Sequence, residues 1–233
     1  MQKIGLLQPG RLGDIVICLP IAKYFYDQGH KVIWPIFHNY INDVTEVIDY
    51  VNFVPITNNV YECVKEANQI FNYYKNIKVL DIAATFPGST CTEEYVKLGD
   101  GFGDISFDRY KYQKSDVPFQ EKWNLAFNRI KEQEDQVYHE VVTDLDYNII
   151  GTTHSRGKMN IQFESKYTNI EINQNYNFFS WYKVLENAKN IVLVDSAMAN
   201  FVEQTNLPNK KIIITKPGQP RPHFKNNWVV KNI

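Results

Sequence analysis

The first 37 residues leave this chain few folds to choose from. Lys3 to Gln8 is a short, nearly continuous apolar run that stops at Pro9-Gly10, as a buried parallel strand does. From Asp14 to Gln28 the apolar residues Ile15, Leu19, Ala22, Phe25 and Tyr26 recur at helical spacing, and Gly29 follows as a C-terminal cap. Lys31 to Phe37 reads as a second buried strand. Strand, tight turn, helix and strand make a βαβ unit, which commits the chain to a parallel sheet covered by helices.

The alternation continues. Asn52 to Ile56 predicts a strand, Tyr61 to Tyr74 a helix, Lys78 to Ala83 a strand, and Pro118 to Glu134 a helix with Trp123, Phe127 and Ile130 along one side. A second series begins near Tyr147, with strands at 147–152, 191–194 and 211–215, helices at 178–188 and 196–204, and an extended piece near Val229. No internal repeat or low-complexity linker is present. The expected class is α/β, with one lobe over residues 1–145 and a second over 146–233.

Of the 233 residues 44% are hydrophobic, enough for a sizeable core. The net charge is −1 and the basic residues are scattered, which argues against a nucleic-acid binder held by phosphate contacts. Cys18, Cys63 and Cys91 form neither a disulfide framework nor a C-x-x-C metal site and fit a reducing cytoplasm. No apolar run approaches the roughly 20 residues of a membrane span. The N-terminal apolar segment is broken by Pro9, Gly10, Arg11 and Asp14, unlike a signal peptide.

Ligands of parallel sheets bind beyond the carboxyl ends of the strands, so the turns there are the candidate sites. In the turn from Gln8 to Asp14, Gly10 and Gly13 can take positive φ or let a ligand approach the backbone, and the helix N-terminus favours an anion. Asp14 is either a helix N-terminal carboxylate or a general base. The G-x-G-x-x-G fingerprint that a dehydrogenase would need is absent. In Asp195 to Asn200, Ser196 is either a plain N-cap or, with the amide of Ala197, a diphosphate contact. In Thr152 to Lys158, the hydroxyls of Thr152 and Thr153 can hold phosphate oxygens, and Arg156 or Lys158 can offset charge on a departing diphosphate. A solvated polar loop is the other reading of that stretch.

The five histidines, His30, His38, His139, His154 and His223, lack the spacing of a zinc site, and His154 reads as an exposed loop residue. Asp100-Gly101-Phe102-Gly103-Asp104 reads as a solvated turn, with contact to an acceptor sugar as the alternative. Arg221, Pro222, His223 and Trp228 either approach a donor pocket or pack in the interior. Asp108 to Lys114 mixes Lys and Tyr without a matching basic stripe and reads as surface.

At three of these segments the sequence resembles glycosyltransferase family 9, the heptosyltransferase family. GRLGDIVICLPIAKYF is similar to the family's N-terminal G-x-G-D segment and the following helix with its early Pro, here Pro20. Thr152-Thr153 with a cation nearby is similar to its phosphate-binding strand end, and FFSWYKVLENAKNIVLVDSAMANFVEQTNLP to its helix, strand and D-[ST]-x-x-x-H turn. The resemblance implies a GT-B fold, two Rossmann-like lobes with a cleft between them. The acceptor would bind in the N-terminal lobe and a nucleoside-diphosphate sugar in the C-terminal one. It implies inverting, metal-independent transfer to a glycan or glycolipid acceptor, with the donor as substrate and no resident cofactor. Asp14 would be the general base, and Gly13, Thr152, Thr153, Arg156, Lys158, Ser196 and Ala197 would hold the donor diphosphate. Acceptors in that family are often lipid-linked, so peripheral contact with a membrane surface is compatible with the reading.

Three features depart from the family pattern. Asn200 stands where the family has His, the C-terminal lobe is short, and the stretch from Lys158 to Ile170 leaves no room for a βα unit that normally helps to bind the nucleotide. They define the alternative, a GT-B module that binds nucleotide or glycan without turnover.

Overall fold

The computed structural model describes residues 1–97, 106–154, 157–215 and 223–232. The chain divides into two compact units. The first comprises Met1–Phe127 and a short return segment that includes His223. In chain order it runs β1 (Lys3–Leu7), α1 (Leu12–Asp27), β2 (Lys31–Phe37), α2 (Ile41–Thr45), β3 (Val51–Ile56), α3 (Cys63–Asn72), β4 (Ile77–Asp81), α4 (Thr90–Lys97) and α5 (Phe107–Ser115). Its four strands are parallel in the order β3-β2-β1-β4. The strand order reverses between β1 and β4, so the carboxyl ends of those two strands form a topological switch point, where open α/β sheets bind ligands.

The core follows from the sequence pattern. Leu7, Ile33, Phe37 and Ile56 of the sheet region pack against Cys63, Val64, Ala67 and Phe71 on the apolar stripe of α3. Helix α1 is buried nearly all round, from Ile15 through Ala22, as expected of a central helix. Each large aliphatic or aromatic side chain so buried contributes about 1.5–3 kcal/mol.

Two sequence expectations change here. The helix expected over Pro118–Glu134 is instead a single 3-10 turn, Phe119–Trp123, followed by non-helical chain to Ile130. The turn is pinned by Lys122, which donates to Asp108 and to the backbone carbonyl of His223. The stretch Asp108 to Lys114, expected at the surface, lies in α5, with Asp108, Lys111, Tyr112 and Ser115 all buried. Those residues recur at i, i+3, i+4 and i+7, the spacing of a core-facing helix stripe occupied by polar side chains.

The second unit begins at Asn128 rather than at the expected 145/146 division. Helix α6 (Lys131–Val141) belongs to it because of its side-chain partners. Ser180 donates to Gln133, Lys183 pairs with Asp135, and Arg129 bridges Glu134 and Glu186 while lying 4.3 Å over the Tyr182 ring. The unit continues with β5 (Tyr147–Gly151), the hairpin β6 (Thr153–His154) and β7 (Gly157–Lys158), β8 (Thr168–Glu171), α7 (Tyr182–Asn187), β9 (Asn190–Val194), α8 (Ala197–Gln204), β10 (Lys210–Thr215) and β11 (Trp228–Asn232). Its main sheet is parallel in the order β11-β10-β9-β5-β8, which places a second switch point between β5 and β9.

Strand β8 occupies part of the stretch the sequence left without a βα unit, but no helix precedes it among the described residues. Met159, Ile161 and Phe163 instead lie against Ile150, Val192, Val194, Ile212 and Ile214 on the sheet. At the amino end of the sheet Asn190 donates to Asn148, Asn148 to Asn169, and Asn169 to the carbonyl of Phe163. Among the described residues no helix is long and apolar enough to cross a membrane.

Candidate active site

The turn after β1 is held tightly. Trp34 Nε1 donates to the carbonyl of Gln8 at 2.9 Å, Phe37 N to Pro9 O at 2.7 Å, and Gln8 Nε2 to Gly10 O at 3.0 Å. A Cβ on Gly10 would stand 2.3 Å from the Phe37 ring, so glycine is required there by close approach rather than by positive φ. The unusual backbone falls on Arg11 instead, at φ 60° and ψ 113°. It is stabilised by the amides of Asp14 and Ile15, which donate to its carbonyl, and by the guanidinium lying 5.6 Å over the Phe86 ring. Non-glycine residues in such regions persist only where their surroundings over-determine them, as they do at functional sites.

Gly13 and Asp14 follow in the first turn of α1, Gly13 half-buried and Asp14 buried. Beneath them lies Lys111, fully buried on α5. Its ammonium donates to Gln8 Oε1 in the turn after β1 and, at 2.9 Å, to the carbonyl of Ile82 just beyond β4. Its third neighbour is Asp14 Oδ1 at 3.2 Å, in an orientation that makes the contact an ion pair rather than an aligned hydrogen bond. One ammonium therefore ties together both strand ends at the switch point and the carboxylate of α1. Burial pulls the pKa of Lys111 down, but the charge of Asp14 pulls it up, and it ends above the ordinary lysine value. Burial likewise pushes the Cys18 thiol up to about 12, so it stays protonated.

The loop after β4 is organised by Asp81. Its carboxylate accepts from the hydroxyls of Ser89 and Thr90 and from the amides of Ala83 and Cys91. Thr92 closes the loop by donating to Ala83 O and accepting from the amide of Phe86, the ring on which Arg11 rests. Neither Asp81 nor Lys111 stands out in the sequence as a site residue.

In the second unit, Thr152 follows β5 and Ser196 follows β9, so the expected diphosphate residues flank that unit's switch point. Gly151 is needed at the end of β5 because a Cβ there would meet Leu193 at 2.5 Å. Thr152 is buried and donates to Glu171 Oε1 at 2.6 Å, and Lys158 pairs with the same oxygen at 2.7 Å. Glu171, held by Lys158 first and Thr152 second, has a lowered pKa. Thr153, Lys158 and Glu171 line an open depression of about 430 Å³ with Ile172, Asn173 and Gln174. Ser196 is the N-cap of α8 and accepts from the amide of Ala199 at 3.3 Å. Ala197, the first helical residue, is half-buried. Asn200 donates to the carbonyl of Ser196, and its own buried side-chain oxygen accepts no hydrogen bond from the described residues.

His223 belongs to the first unit, where it packs edge-on against Phe119 and Trp123. Trp228, half-buried, donates to the carboxylate of Glu203. Arg156, Arg221, Pro222 and the Asp100–Asp104 segment lie outside the described residues.

No family model matches the sequence, and no curated protein matches it. Its fold matches solved structures over the whole chain. A glycosyl transferase family 9 protein from Veillonella parvula DSM 2008 is similar with a TM-score of 0.64 at 9% identity, covering 100% of this chain and 86% of that one. This chain has the glycosyltransferase family 9 fold. E. coli ADP-heptose lps heptosyltransferase II shares it at TM-score 0.56 and 10% identity, over 100% of this chain and 90% of its own. E. coli heptosyltransferase WaaC with ADP-2-deoxy-2-fluoro heptose does so at 0.54 and 10%, over 99% and 93%. Identities of this size leave the family 9 fold as the shared property and the site chemistry to be argued from this chain's own residues.

Proposed function

We propose that this protein is a glycosyltransferase that moves a sugar from a nucleoside-diphosphate donor to a hydroxyl of a glycan or glycolipid acceptor. The observation that carries the proposal is Asp14, a carboxylate at the switch point of the first sheet, set against a single buried ammonium in a fold shared with family 9 glycosyltransferases. Its Oδ1 faces Lys111, which leaves Oδ2 to take the acceptor's proton. The acceptor oxygen attacks the anomeric carbon as the bond to the diphosphate breaks, with inversion. Ser196, the Ala197 amide, Thr152, Thr153, Arg156 and Lys158 take up the charge of the departing diphosphate, so the transfer needs no metal ion. A lipid-linked acceptor would bring the protein to a membrane surface.

The second reading is a module that binds nucleotide or glycan without turnover. It is favoured by Glu171, which occupies both Lys158 and Thr152, and by Asn200 in place of the family's His.

The deciding experiment is thermal stabilisation by ADP, UDP, GDP, CDP and NAD, with wild type beside Ser196→Ala and Lys158→Ala. A ligand at a hundred-fold excess over its Kd stabilises by about 2.7 kcal/mol. Loss of the Ser196 cap alone costs about 1 kcal/mol, so each shift is read against the same variant without ligand. Because two similar structures carry ADP or an ADP-heptose analogue, an ADP-linked sugar is the first donor to assay. Stabilisation by one diphosphate, lost in both variants, supports the donor site. Stabilisation by none of them, in folded wild type, removes it. Binding without transfer from any donor of the matching base favours the second reading.

A further inference from the structure

We infer that Lys111 is a positioning residue for Asp14, holding the carboxylate's charge and direction from beneath the switch point. Its part in transfer rests on Asp14 acting as the proposed base. The ammonium has three protons and faces three acceptors, Gln8 Oε1, Ile82 O and Asp14 Oδ1. They come from the turn after β1, the loop after β4 and helix α1, while Lys111 itself comes from α5. Two of its protons are committed to Gln8 and Ile82, so the ammonium cannot swing away with a ligand as a surface lysine can. The residue has no exposed surface, and an uncompensated charge there would be expensive.

The other titratable groups around the pair do not compete for this role. Cys18 on α1 and Cys91 on α4 are thiols that burial pushes up to about 12, so they remain neutral. Asp108, also on α5, is paired with Lys122. Lys111 is thus the cation that faces Asp14 among the described residues. An apolar side chain of equal length would fill the space without fixing the carboxylate's direction.

The test compares wild type, Lys111→Met, Lys111→Arg and Tyr112→Phe. Tyr112→Phe removes a neighbouring buried contact between the same two helices, the hydroxyl's hydrogen bond to Ile17 O, without touching the ammonium. The first readout is carbodiimide labelling of Asp14, followed by mass spectrometry. Labelling becomes severalfold faster in Lys111→Met, stays near wild type in Lys111→Arg and is unchanged in Tyr112→Phe. Equal labelling in Lys111→Met and wild type overturns the inference; so does equal acceleration by Tyr112→Phe, which would mark a loosened fold. Should Lys111→Met not fold, Lys111→Arg decides: retained protection supports the role, and labelling as fast as in the unfolded chain overturns it. The second readout uses an ADP-linked sugar donor. In Lys111→Met, kcat falls while the donor KM holds, and Lys111→Arg restores most of kcat. A wild type that transfers nothing counts against the proposed function and leaves the labelling result standing.

Discussion

The Lys122 ammonium lies 2.5 Å from the Asp108 carboxylate, and neither side chain is accessible to solvent. The same Asp108 oxygen accepts from the amide of His223 at 2.9 Å, and Lys122 donates to the carbonyl of that residue at 2.6 Å. A buried ion pair thus captures both backbone groups of one residue from the far end of the chain. Breaking such a pair by removing one partner costs about 3–5 kcal/mol, because the other charge is left buried. Asp108→Asn is expected to lower stability by that amount in urea denaturation and to speed hydrogen exchange at the His223 amide. A loss under 1 kcal/mol would mean that the pair is not the anchor described.

Asp14→Asn carries a structural cost as well as a chemical one. It removes the countercharge of Lys111, although Gln8 and Ile82 still accept from the ammonium, so the expected loss is at or below the lower end of the same range, about 3 kcal/mol. Replacing both partners, Asp14→Asn with Lys111→Met, is expected to recover part of that loss. Denaturant melts of the two single variants and the double variant measure the coupling. Transfer activity of Asp14→Asn has to be normalised to folded protein before it speaks about the base.

The pH dependence follows from Lys111, whose folded pKa lies above its ordinary value. A raised pKa means that the folded state binds the proton more tightly. The stabilisation is complete below the unfolded lysine value of about 10.4 and is lost as pH climbs through the folded one. The stability difference between wild type and Lys111→Met should be level from neutral pH to about pH 10 and shrink above it. A difference that grows on the alkaline side would contradict the assignment.

Arg11 offers a reversal of the usual residue preferences. Its backbone strain at φ 60° is of order 1–3 kcal/mol, which glycine relieves and alanine does not. The contact with Phe86, about 0.5–1 kcal/mol, is lost in both variants. Arg11→Gly should therefore melt within about 1 kcal/mol of wild type and above Arg11→Ala. Equal stabilities of the two variants would show that the backbone is unstrained.

In the proposed donor site, Glu171 would compete with a diphosphate for Lys158 and Thr152, both of which it holds. The Lys158 and Glu171 side chains are 64% and 46% exposed, so the ion pair is worth no more than about 1 kcal/mol. Glu171→Gln is expected to tighten ADP binding by up to about fivefold in titration calorimetry. Weaker binding would mean that the carboxylate itself contacts the ligand.

The fold was legible wherever apolar residues repeat. The strands at 3–8, 31–37, 147–152 and 191–194 and the helices at 61–74 and 196–204 all appear within a few residues of expectation. What escaped is the buried polar stripe. Helix α5 repeats with helical period, but with Asp108, Lys111 and Ser115 on its inner face, and a pattern search keyed to apolar side chains passes over it. Both partners of Lys111 in the loops are equally silent: Gln8 looks like the polar end of a strand, and Ile82 contributes only a carbonyl. The expected helix at 118–134 failed for the converse reason. Its apolar spacing suits a helix, but the chain forms a 3-10 turn over Phe119–Trp123 in which Lys122 is held by Asp108 and by the carbonyl of His223, a partner distant in sequence. Asp14, Thr152 and Ser196 are picked out as candidates because they follow strands, whereas the pairing of Asp14 with Lys111 and of Thr152 with Glu171 depends on three-dimensional register.

That register has a physical gauge in the three asparagines of the second sheet. Asn190, Asn148 and Asn169 stand directly opposite one another across β9, β5 and β8, linked amide to amide. Because they align the strands where these begin, they also settle where the strands stop. Two residues on, Glu171 comes level with Ile150, and from there it reaches Thr152. A slip of one residue would present Ile170 or Ile172 in its place and turn every alternate side chain to the wrong face. The aligning hardware thus sits at one end of the sheet and the candidate diphosphate residues at the other, so surface loops at that second end can change in length or sequence without disturbing the alignment on which Thr152 and Glu171 depend.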